Sequence, residues 1–197
     1  MTTAREALLE RVVVWFAANG VGDTSMRTVA EGVGTSHRML HYHFGSRDGL
    51  LEAVVTATWG RQNLVLAELL ESSADPYRAA YAFWDRIAGE ATLVAPLFFE
   101  VAAAAMQGKS WAVPLRQWIG QWREVLTTLF IRAGHEPDVA ALRAQMALAM
   151  ARGLLFELAI TGEKGRAAAD TAIRAFLEST KVSASSSDLR HTAIRSH

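Results

Sequence analysis

Residues 24–51 have the sequence TSMRTVAEGVGTSHRMLHYHFGSRDGLL, and this stretch decides the fold of the first part of the chain. Its first half carries four apolar residues at the i, i+3, i+4, i+7 spacing of a short helix: Met26, Val29, Ala30 and Val33. Either Thr24 or Ser25 can cap the start of this helix. Gly32 and Gly34 then permit a sharp turn. The pattern therefore predicts a short helix followed directly by a tight turn.

A second short helix follows this turn. Thr35 and Ser36 offer hydroxyl oxygens for its cap, and Leu40 and Phe44 are expected to face inward from its two turns. Helical spacing of apolar residues upstream predicts another helix over about residues 3–18. Two short helices joined by a glycine turn and packed on a third form a helix-turn-helix, whose second helix enters the major groove of DNA.

The charge of this segment differs from that of the whole chain. Twenty Lys and Arg balance twenty Asp and Glu, so the formal net charge is zero and predicts no general attraction to nucleic acid or membrane. Between residues 32 and 47, however, there is no acidic residue, whereas Arg38 and Arg47 are fixed cations and three histidines can become cationic. The segment is therefore a local basic patch, as phosphate binding requires.

Other chemistries find little support in the sequence. The chain has no cysteine, which excludes disulfides, thiolate catalysis and cysteine-based zinc modules. His37 and His41 stand at i, i+4 with His43 nearby, but no glutamate follows the first histidine and no aspartates cluster beside them. Neither a nucleophile paired with a base nor a phosphate loop is present. We therefore expect no enzymatic activity, no metal and no cofactor.

Residues 24–51 resemble the DNA-binding signature of the tetracycline-repressor (TetR) family of bacterial transcriptional regulators. The resemblance covers about the first sixty residues. It rests on the order of the sequence features: the helix cap and turn come first, then the His43-Phe44 pair, and then the basic-acidic-Gly-Leu start of the next helix. His41 stands where the family usually has tyrosine, with Tyr42 beside it, and Arg47 stands where it usually has lysine. Which of His41 and Tyr42 contacts the DNA backbone stays open.

The resemblance implies two sets of contacts with a double-stranded DNA operator. The residues that would hold phosphates are Arg27, Thr28, His41, Tyr42 and Arg47. The residues that would line the major groove are Thr35, Ser36, His37, Arg38 and Met39. The chemistry of two of these side chains agrees, because Arg38 can bond guanine O6 and N7 together and Met39 can touch a thymine methyl group.

The rest of the chain is also predicted to be helical, because its apolar residues recur with helical period and strand-like alternation is missing. Further helices are expected at about residues 47–71, 76–94, 96–107, 113–133, 137–161 and 165–179. The prediction is an all-α fold of about nine helices, with a three-helix DNA-binding domain over residues 1–50 and a helical bundle for ligand binding and dimerisation over residues 51–180. Residues 181–197 are polar and rich in serine, and a mobile tail is expected there.

The predicted bundle is rich in tryptophan and phenylalanine. Any one such ring is more often part of a core, but this many rings also suit a cavity for an apolar or aromatic ligand. The residues expected to bind that small-molecule effector are Trp59, Asn63, Trp84, Phe98, Trp111, Trp118, Trp122, Met146 and Met150. Glu100 and Arg152 interrupt apolar stretches, and each is expected to extend to the surface, pair across an interface or contact a ligand.

The helix over about residues 138–160 is apolar nearly all round. One of its stripes is made of alanines and another of large residues, and we expect the large stripe to pack inward and the small one to pack against a second subunit. In the TetR family the last two long helices form a four-helix dimer interface, which implies a homodimer here. The predicted interface residues are Ala144, Ala147, Ala151, Leu155, Ile173, Phe176 and Leu177.

The sequence therefore predicts a ligand-responsive transcriptional regulator. It is expected to act as a repressor that binds an inverted-repeat operator as a dimer and is released by an apolar or aromatic small molecule. The N-terminus does not resemble a signal peptide, and the apolar run over residues 91–106 is too short and too polar to span a bilayer, so we expect a cytoplasmic protein without membrane contact. The alternatives are a small-molecule-binding or enzymatic bundle with an incidental helix-turn-helix, and an architectural DNA-binding protein.

Overall fold

A computed structural model describes residues 3–181 of the chain, apart from the side chain of Asn63. This part contains nine α-helices and one short 3-10 helix, η1, in the order α1 (Ala4–Asn19), α2 (Met26–Gly32), α3 (His37–Phe44), α4 (Arg47–Ser72), α5 (Pro76–Gly89), α6 (Ala91–Met106), η1 (Ser110–Ala112), α7 (Pro114–Arg132), α8 (Pro137–Thr161) and α9 (Glu163–Ser179). The described residues include no strand. The predicted all-α fold is confirmed.

Serine caps fix the two short helices of the N-terminal domain. Ser25 accepts a hydrogen bond from the Thr28 backbone N–H at 3.1 Å at the start of α2. Ser36 accepts one from the Met39 N–H at 3.2 Å at the start of α3. Between the two helices, Gly34 has a φ of +68°, which only glycine adopts without strain. Of each predicted pair of candidate caps, the second residue is the one used.

α4 links two hydrophobic cores. The first core is built mainly from α1 to α4, and its members include Val12, Phe16, Val29, Leu40, Phe44, Leu50, Leu51 and Val54. It continues into α6 and η1 through Leu97, Val101 and Trp111. Further along α4, Leu70 belongs to a second core shared with α5, α7, α8 and α9. The packing therefore crosses the predicted domain boundary at residue 50.

The break between α5 and α6 lies earlier than the sequence predicts. The expected break was at Pro96, whereas α5 ends at Gly89 and α6 begins at Ala91, with a bend of 86° between the two helices. Pro96 lies inside α6, where it removes the N–H that would bond to the carbonyl of Thr92, an exposed residue. Gly89 weakens a helix by its backbone freedom, which favours an end there.

Polar contacts fasten the end of α9 to α5 and α8. The hydroxyl of Tyr77 donates to the carbonyl of Thr180 at 2.9 Å, and Arg143 donates to the same carbonyl and to His135. The hydroxyl of Tyr81 donates to Glu178 at 2.7 Å. Burial and this neighbouring carboxylate raise the pKa of Tyr81 to about 12. The C-terminal end of α9 is therefore fixed, and all of the predicted tail except Lys181 lies outside the described residues.

Candidate nucleic-acid interface and internal cavities

α3 presents its polar side chains to solvent and its apolar ones to the core. Leu40 is fully buried and Phe44 is buried near it. The exposed residues at the start and on the other face of α3 are Ser36, His37, Arg38, Met39, His41 and Tyr42, while Thr35 is half-buried. Tyr42 is 79% exposed. The predicted groove-lining side chains other than Thr35 are therefore free to contact a ligand without unpacking the core.

Positive charge flanks α3 on both sides. Arg27 and Thr28 are exposed at the start of α2. Near the end of α3, the guanidinium of Arg5 lies 5.1 Å from the centroid of the Phe44 ring and donates to the carbonyl of His43 at 3.3 Å. The sequence motif does not indicate Arg5, because only the folded chain brings the start of α1 beside the end of α3. Arg5 adds a cation to the predicted basic patch.

Arg47 makes structural contacts that its place in the motif does not predict. Its Nε donates to the carbonyl of Thr24 at 2.8 Å, and its Nη2 donates to the carbonyl of Gly22 at 2.6 Å. The side chain thus holds the loop before α2 against the start of α4. A guanidinium has five N–H groups, so three remain for a phosphate. The predicted phosphate contact stays a prediction, and Arg47 also orders the domain.

Replacing Arg47 with alanine should lower the free energy of unfolding as well as any affinity for DNA. Two hydrogen bonds from a charged donor are lost, one of them partly buried, and we expect a cost of about 1 to 3 kcal/mol. Denaturant unfolding measures this cost. Arg27→Ala is the matched control, since Arg27 is exposed and makes no side-chain hydrogen bond within the described residues. Equal unfolding free energies for the two variants would contradict the structural role of Arg47.

The N-terminal helices match a known family. Residues 7–54, which span most of α1, all of α2 and α3 and the start of α4, match the family model described as bacterial regulatory proteins, tetR family. The match covers the N-terminal domain and not the rest of the chain. The resemblance carried by residues 24–51 is therefore confirmed, and the basic patch on α2 and α3 lies within the residues that match this family model.

Solved structures of transcriptional regulators and of GusR share the fold of nearly the whole chain. A transcriptional regulator from Rhodococcus sp. Rha1 is 24% identical with a TM-score of 0.75, over 92% of this chain and 100% of that chain. Salmonella enterica GusR is 23% identical with a TM-score of 0.72, over 90% and 97% of the two chains. A TetR transcriptional regulator from Legionella pneumophila is 16% identical with a TM-score of 0.72, over 92% and 99%. At these identities the likeness shows the fold. No curated protein matches the chain.

Two internal cavities lie in the C-terminal part of this TetR-like fold. The first, here called the Trp59 cavity, has a volume of about 50 Å³ and lies among α4, α5, α6, α7 and α8. The second, called the Trp84 cavity, has a volume of about 70 Å³ and lies among α4, α5, α7, α8 and α9. Residues that line both cavities are Ile87, Trp122, Arg152 and Leu155. Both volumes are small against the roughly 300 to 1,000 Å³ of typical ligand sites, so a bound ligand must widen or join them.

The structure brings only some of the predicted ligand-binding residues to these cavities. Trp59, Phe98 and Trp122 line the Trp59 cavity, and Trp84 and Trp122 line the Trp84 cavity. The side chain of Asn63 lies outside the described part of the structure.

Four predicted ligand-binding residues line neither cavity: Trp111, Trp118, Met146 and Met150. Trp111 is buried in the first core and Trp118 packs against that core, so both rings are structural. Met146 is half exposed on the surface of α8, and Met150 packs against the second core. The two methionines do not reach the Trp59 cavity because of their positions around the axis of α8. The face of α8 that lines this cavity carries Arg152 and Leu155 instead.

Polar residues of the Trp59 cavity were mostly missed by the sequence reasoning. Gln62, Glu90 and Arg152 all line it. Arg152 carries a sequence signal, as a charge in an apolar helix, but Gln62 and Glu90 lie in mixed segments without one. Burial lowers the pKa of the Arg152 guanidinium, because a low-dielectric surrounding disfavours the charged form.

The predicted orientation of α8 and α9 is wrong. Five of the predicted interface residues are buried inside their own subunit: Ala144, Ala147, Ile173, Phe176 and Leu177. The other two, Ala151 and Leu155, are half-buried and line the internal cavities. The small stripe of α8 packs inward because alanines let α8 approach its neighbours closely, and the large residues of α8 face outward. The outward large residues are Leu142, Met146, Phe156 and Ile160.

The outer face of α8 is therefore apolar and uncovered within one subunit. Leu142 is 62% exposed and Ile160 is 69% exposed. Within the described residues, α8 is the single helix long and apolar enough to cross a membrane, with a mean hydropathy of 1.3 over 18 residues, but only 22% of that window is buried inside the subunit. An exposed apolar surface of this kind marks an interaction site.

Glu100 joins α6 to the helix-turn-helix domain. Its Oε2 accepts a hydrogen bond from the backbone N–H of Val21, in the turn between α1 and α2. In the same turn, a Cβ added at Gly20 would lie 2.6 Å from Oε1 of Glu100, and Gly20 has a φ of +74°. Phe98 and Phe99, which line the Trp59 cavity, precede Glu100 directly. One helix thus contacts both a cavity and the DNA-binding domain.

Proposed function

We propose that this chain is a dimeric transcriptional repressor that binds an inverted-repeat operator through α3 and is released when an apolar or aromatic small molecule binds in its bundle. The single observation that carries the proposal is the TetR-family helix-turn-helix with an exposed, acid-free α3. A protein that acts on DNA in this way works in the cytoplasm.

The experiment that tests the proposal is a gel shift. The purified protein is incubated with DNA from upstream of its own coding region and with operators selected from a random DNA library. A saturable shift on a sequence with two-fold symmetry supports the proposal, and binding without sequence preference contradicts it.

In this proposal α3 makes the base contacts and its surroundings hold phosphates. Arg38 is exposed and without a hydrogen-bond partner in the described residues, so its guanidinium is free to bond a guanine. Arg27, Thr28, His41, Tyr42 and Arg47 are assigned to phosphates. Tyr42 is the more suitable of the two open candidates, because its ring is 79% exposed and carries a hydroxyl donor.

Replacing Arg38 with alanine should weaken operator binding by about 1 to 3 kcal/mol and relax the preference at one base position of each half-site. Replacing Arg27 instead should weaken binding to all DNA sequences alike. It should also reduce the salt dependence of binding by the amount expected for the loss of about one phosphate contact. Both are exposed arginines, so each variant is the control of the other. Titrations of the operator and its single-base variants at several salt concentrations measure the difference. Equal, unselective losses would overturn the assigned roles.

The proposed dimer uses the outer face of α8. This face is the large uncovered apolar surface described above, and a second copy of the same face covers it under two-fold symmetry. A dimer of this kind presents two copies of α3. They can enter successive major grooves only if the half-sites lie about one or more helical turns apart, each turn being about 10 to 10.5 base pairs.

The proposed release depends on the cavities and on two helices. Both cavities are too small for a ligand of ordinary size without some displacement of their walls, which include α4 and α6. α4 begins at Arg47, and α6 contacts Val21 through Glu100. A ligand that prefers the widened bundle therefore changes the separation of the two α3 helices, with a typical coupling of about 1 to 3 kcal/mol.

A further inference from the structure

Buried polar atoms without partners gather at the Trp59 cavity. Within the described residues, five buried side-chain atoms have no hydrogen-bond partner: Thr58 Oγ1, Gln62 Oε1, Trp122 Nε1, Arg152 Nε and Arg152 Nη2. Gln62, Trp122 and Arg152 line this cavity, and Thr58 lies one helical turn before Gln62 on α4. Buried polar groups in folded proteins are nearly always paired, and an unpaired one is destabilising. Four of the five atoms belong to residues that line this one cavity, which indicates a polar ligand group.

The hydrogen-bond donors among these unpaired atoms favour an anionic ligand group. Arg152 stays protonated at neutral pH, so it places a positive charge in a mostly apolar lining. Glu90 also lines the cavity, but no ion pair joins it to Arg152 in the described part of the chain. Trp122 Nε1 is a second donor. Two unpaired donors of this kind fit the two oxygens of a carboxylate.

The rest of the lining favours a ring. The rings of Trp59 and Phe98 lie with their centroids 6.0 Å apart on the wall of the cavity. Ala91, Val94 and Ala95 provide further apolar surface. The Trp84 cavity, which Arg152 also lines, is equally apolar. A molecule with one charged end and a compact apolar body therefore satisfies the whole site.

We propose that the effector is a small aromatic or alicyclic monocarboxylate whose carboxylate accepts hydrogen bonds from Arg152 and Trp122 and whose ring packs against Trp59 and Phe98. The regulatory part of this assignment rests on the proposed function above. Gln62 Oε1 can only accept, so it adds a preference for a ring hydroxyl. The chemical class is thereby narrowed from any apolar molecule to an apolar acid.

The test compares acids with their uncharged amides. Benzoate, 3-phenylpropionate and 2-naphthoate, and the corresponding primary amides, are titrated calorimetrically into the full chain. At least one carboxylate should bind about tenfold to a hundredfold more tightly than its amide, as expected for a charge-assisted pair. Equal affinities for every acid and its amide, or no saturable binding of any carboxylate up to millimolar concentration, would overturn the assignment without the need for any variant.

Variants then test whether the guanidinium of Arg152 causes the preference for the acid over the amide. Arg152→Met keeps a long apolar side chain and removes the guanidinium, so acid and amide should bind within about twofold of each other. Arg123→Met is the matched control, since Arg123 is exposed on the adjacent helix α7 and should leave the preference for the acid intact. Glu90→Gln should tighten binding of the acid severalfold and leave the amide unchanged. An Arg152→Met protein that keeps the full preference for the acid refutes the role of Arg152.

The melting temperature of the Arg152→Met protein distinguishes a ligand-binding role of Arg152 from a structural one. Removing a half-buried guanidinium with two unpaired buried nitrogens should raise the melting temperature of the free protein, whereas removing one with a structural role should lower it. If Arg152→Met does not fold, Trp122→Phe serves instead, because it keeps the ring and loses one donor. Trp122→Phe should weaken the acid severalfold and leave the amide unchanged, and equal weakening of both would contradict the proposal.

The same titrations in the presence of operator separate this proposal from the proposed function. If the acid binds as expected but the operator affinity is unchanged, the carboxylate site stands and the regulatory role of this ligand fails. If neutral ligands release the operator while acids do not bind, the repressor mechanism stands and the carboxylate assignment is overturned.

Discussion

Replacing Leu142 with glutamate should convert the proposed dimer to a monomer and reduce operator affinity at least a hundredfold. Leu142 is 62% exposed in the single subunit, so the change should alter the stability of the subunit by no more than about 0.5 kcal/mol. In a two-fold dimer through the outer face of α8, however, each interface would bury the new charge twice without a partner. Two half-sites can then no longer be bound by one particle.

Sedimentation equilibrium and operator titration measure these two effects. Val14→Glu is the matched control, because Val14 is 68% exposed but lies on α1 in the DNA-binding domain. Ile160→Glu, on the same face of α8 near its end, should repeat the loss of dimer. A Leu142→Glu protein that remains dimeric at micromolar concentration would rule out this face. If both α8 variants are dimers like the wild type, the dimer interface lies on another element.

The sequence predicts the helix-turn-helix well because local rules determine it. Ser25 and Ser36 cap their helices within one turn, Gly34 takes a positive φ in the short turn, and Leu40 faces inward by helical period. Each of these features depends on residues no more than about four positions apart. The order of such features is therefore enough to identify the fold of the domain and the exposed face of α3.

The orientation of α8 is not set by local rules. Its alanine stripe and its large apolar stripe have the same period, and the sequence alone does not say which stripe meets the rest of the subunit. Alanines such as Ala144 are fully buried because the neighbouring helices come close on that side. A prediction that assumes large residues always face inward therefore assigns the two faces of α8 the wrong way round.

The grouping of polar residues at the candidate ligand site could not be predicted from the sequence either. Arg152 is visible as a charge in an apolar helix, but its approach to Gln62 and Trp122 depends on the packing of α8 against α4 and α7. These residues are 30 or more positions apart along the chain. Long-range contacts of this kind also explain why Arg5 and the carbonyl partners of Arg47 have no signal in the motif.

Replacing Glu100 with alanine should loosen the DNA-binding domain on its bundle and broaden the operator spacings that the protein accepts. The carboxylate of Glu100 accepts from the N–H of Val21 in the turn that precedes α2, and it lies on the helix that also lines the Trp59 cavity. Without this bond a partly buried backbone N–H loses its partner, and we expect the free energy of unfolding to fall by about 1 to 2 kcal/mol.

The functional consequence is measured with operators whose half-site separation is changed by one base pair. The wild type should discriminate against these operators, because α6 and α4 fix the two α3 helices at one separation. Glu100→Ala should bind the native operator about tenfold more weakly and lose most of this discrimination, since α3 is then held mainly through α4. Glu124→Ala, an exposed acid on α7 without a side-chain hydrogen bond in the described residues, should behave as the wild type. If Glu100→Ala keeps the wild-type preference for one spacing, α6 does not set the position of the DNA-binding domain, and the coupling between cavity and operator must run through α4 alone.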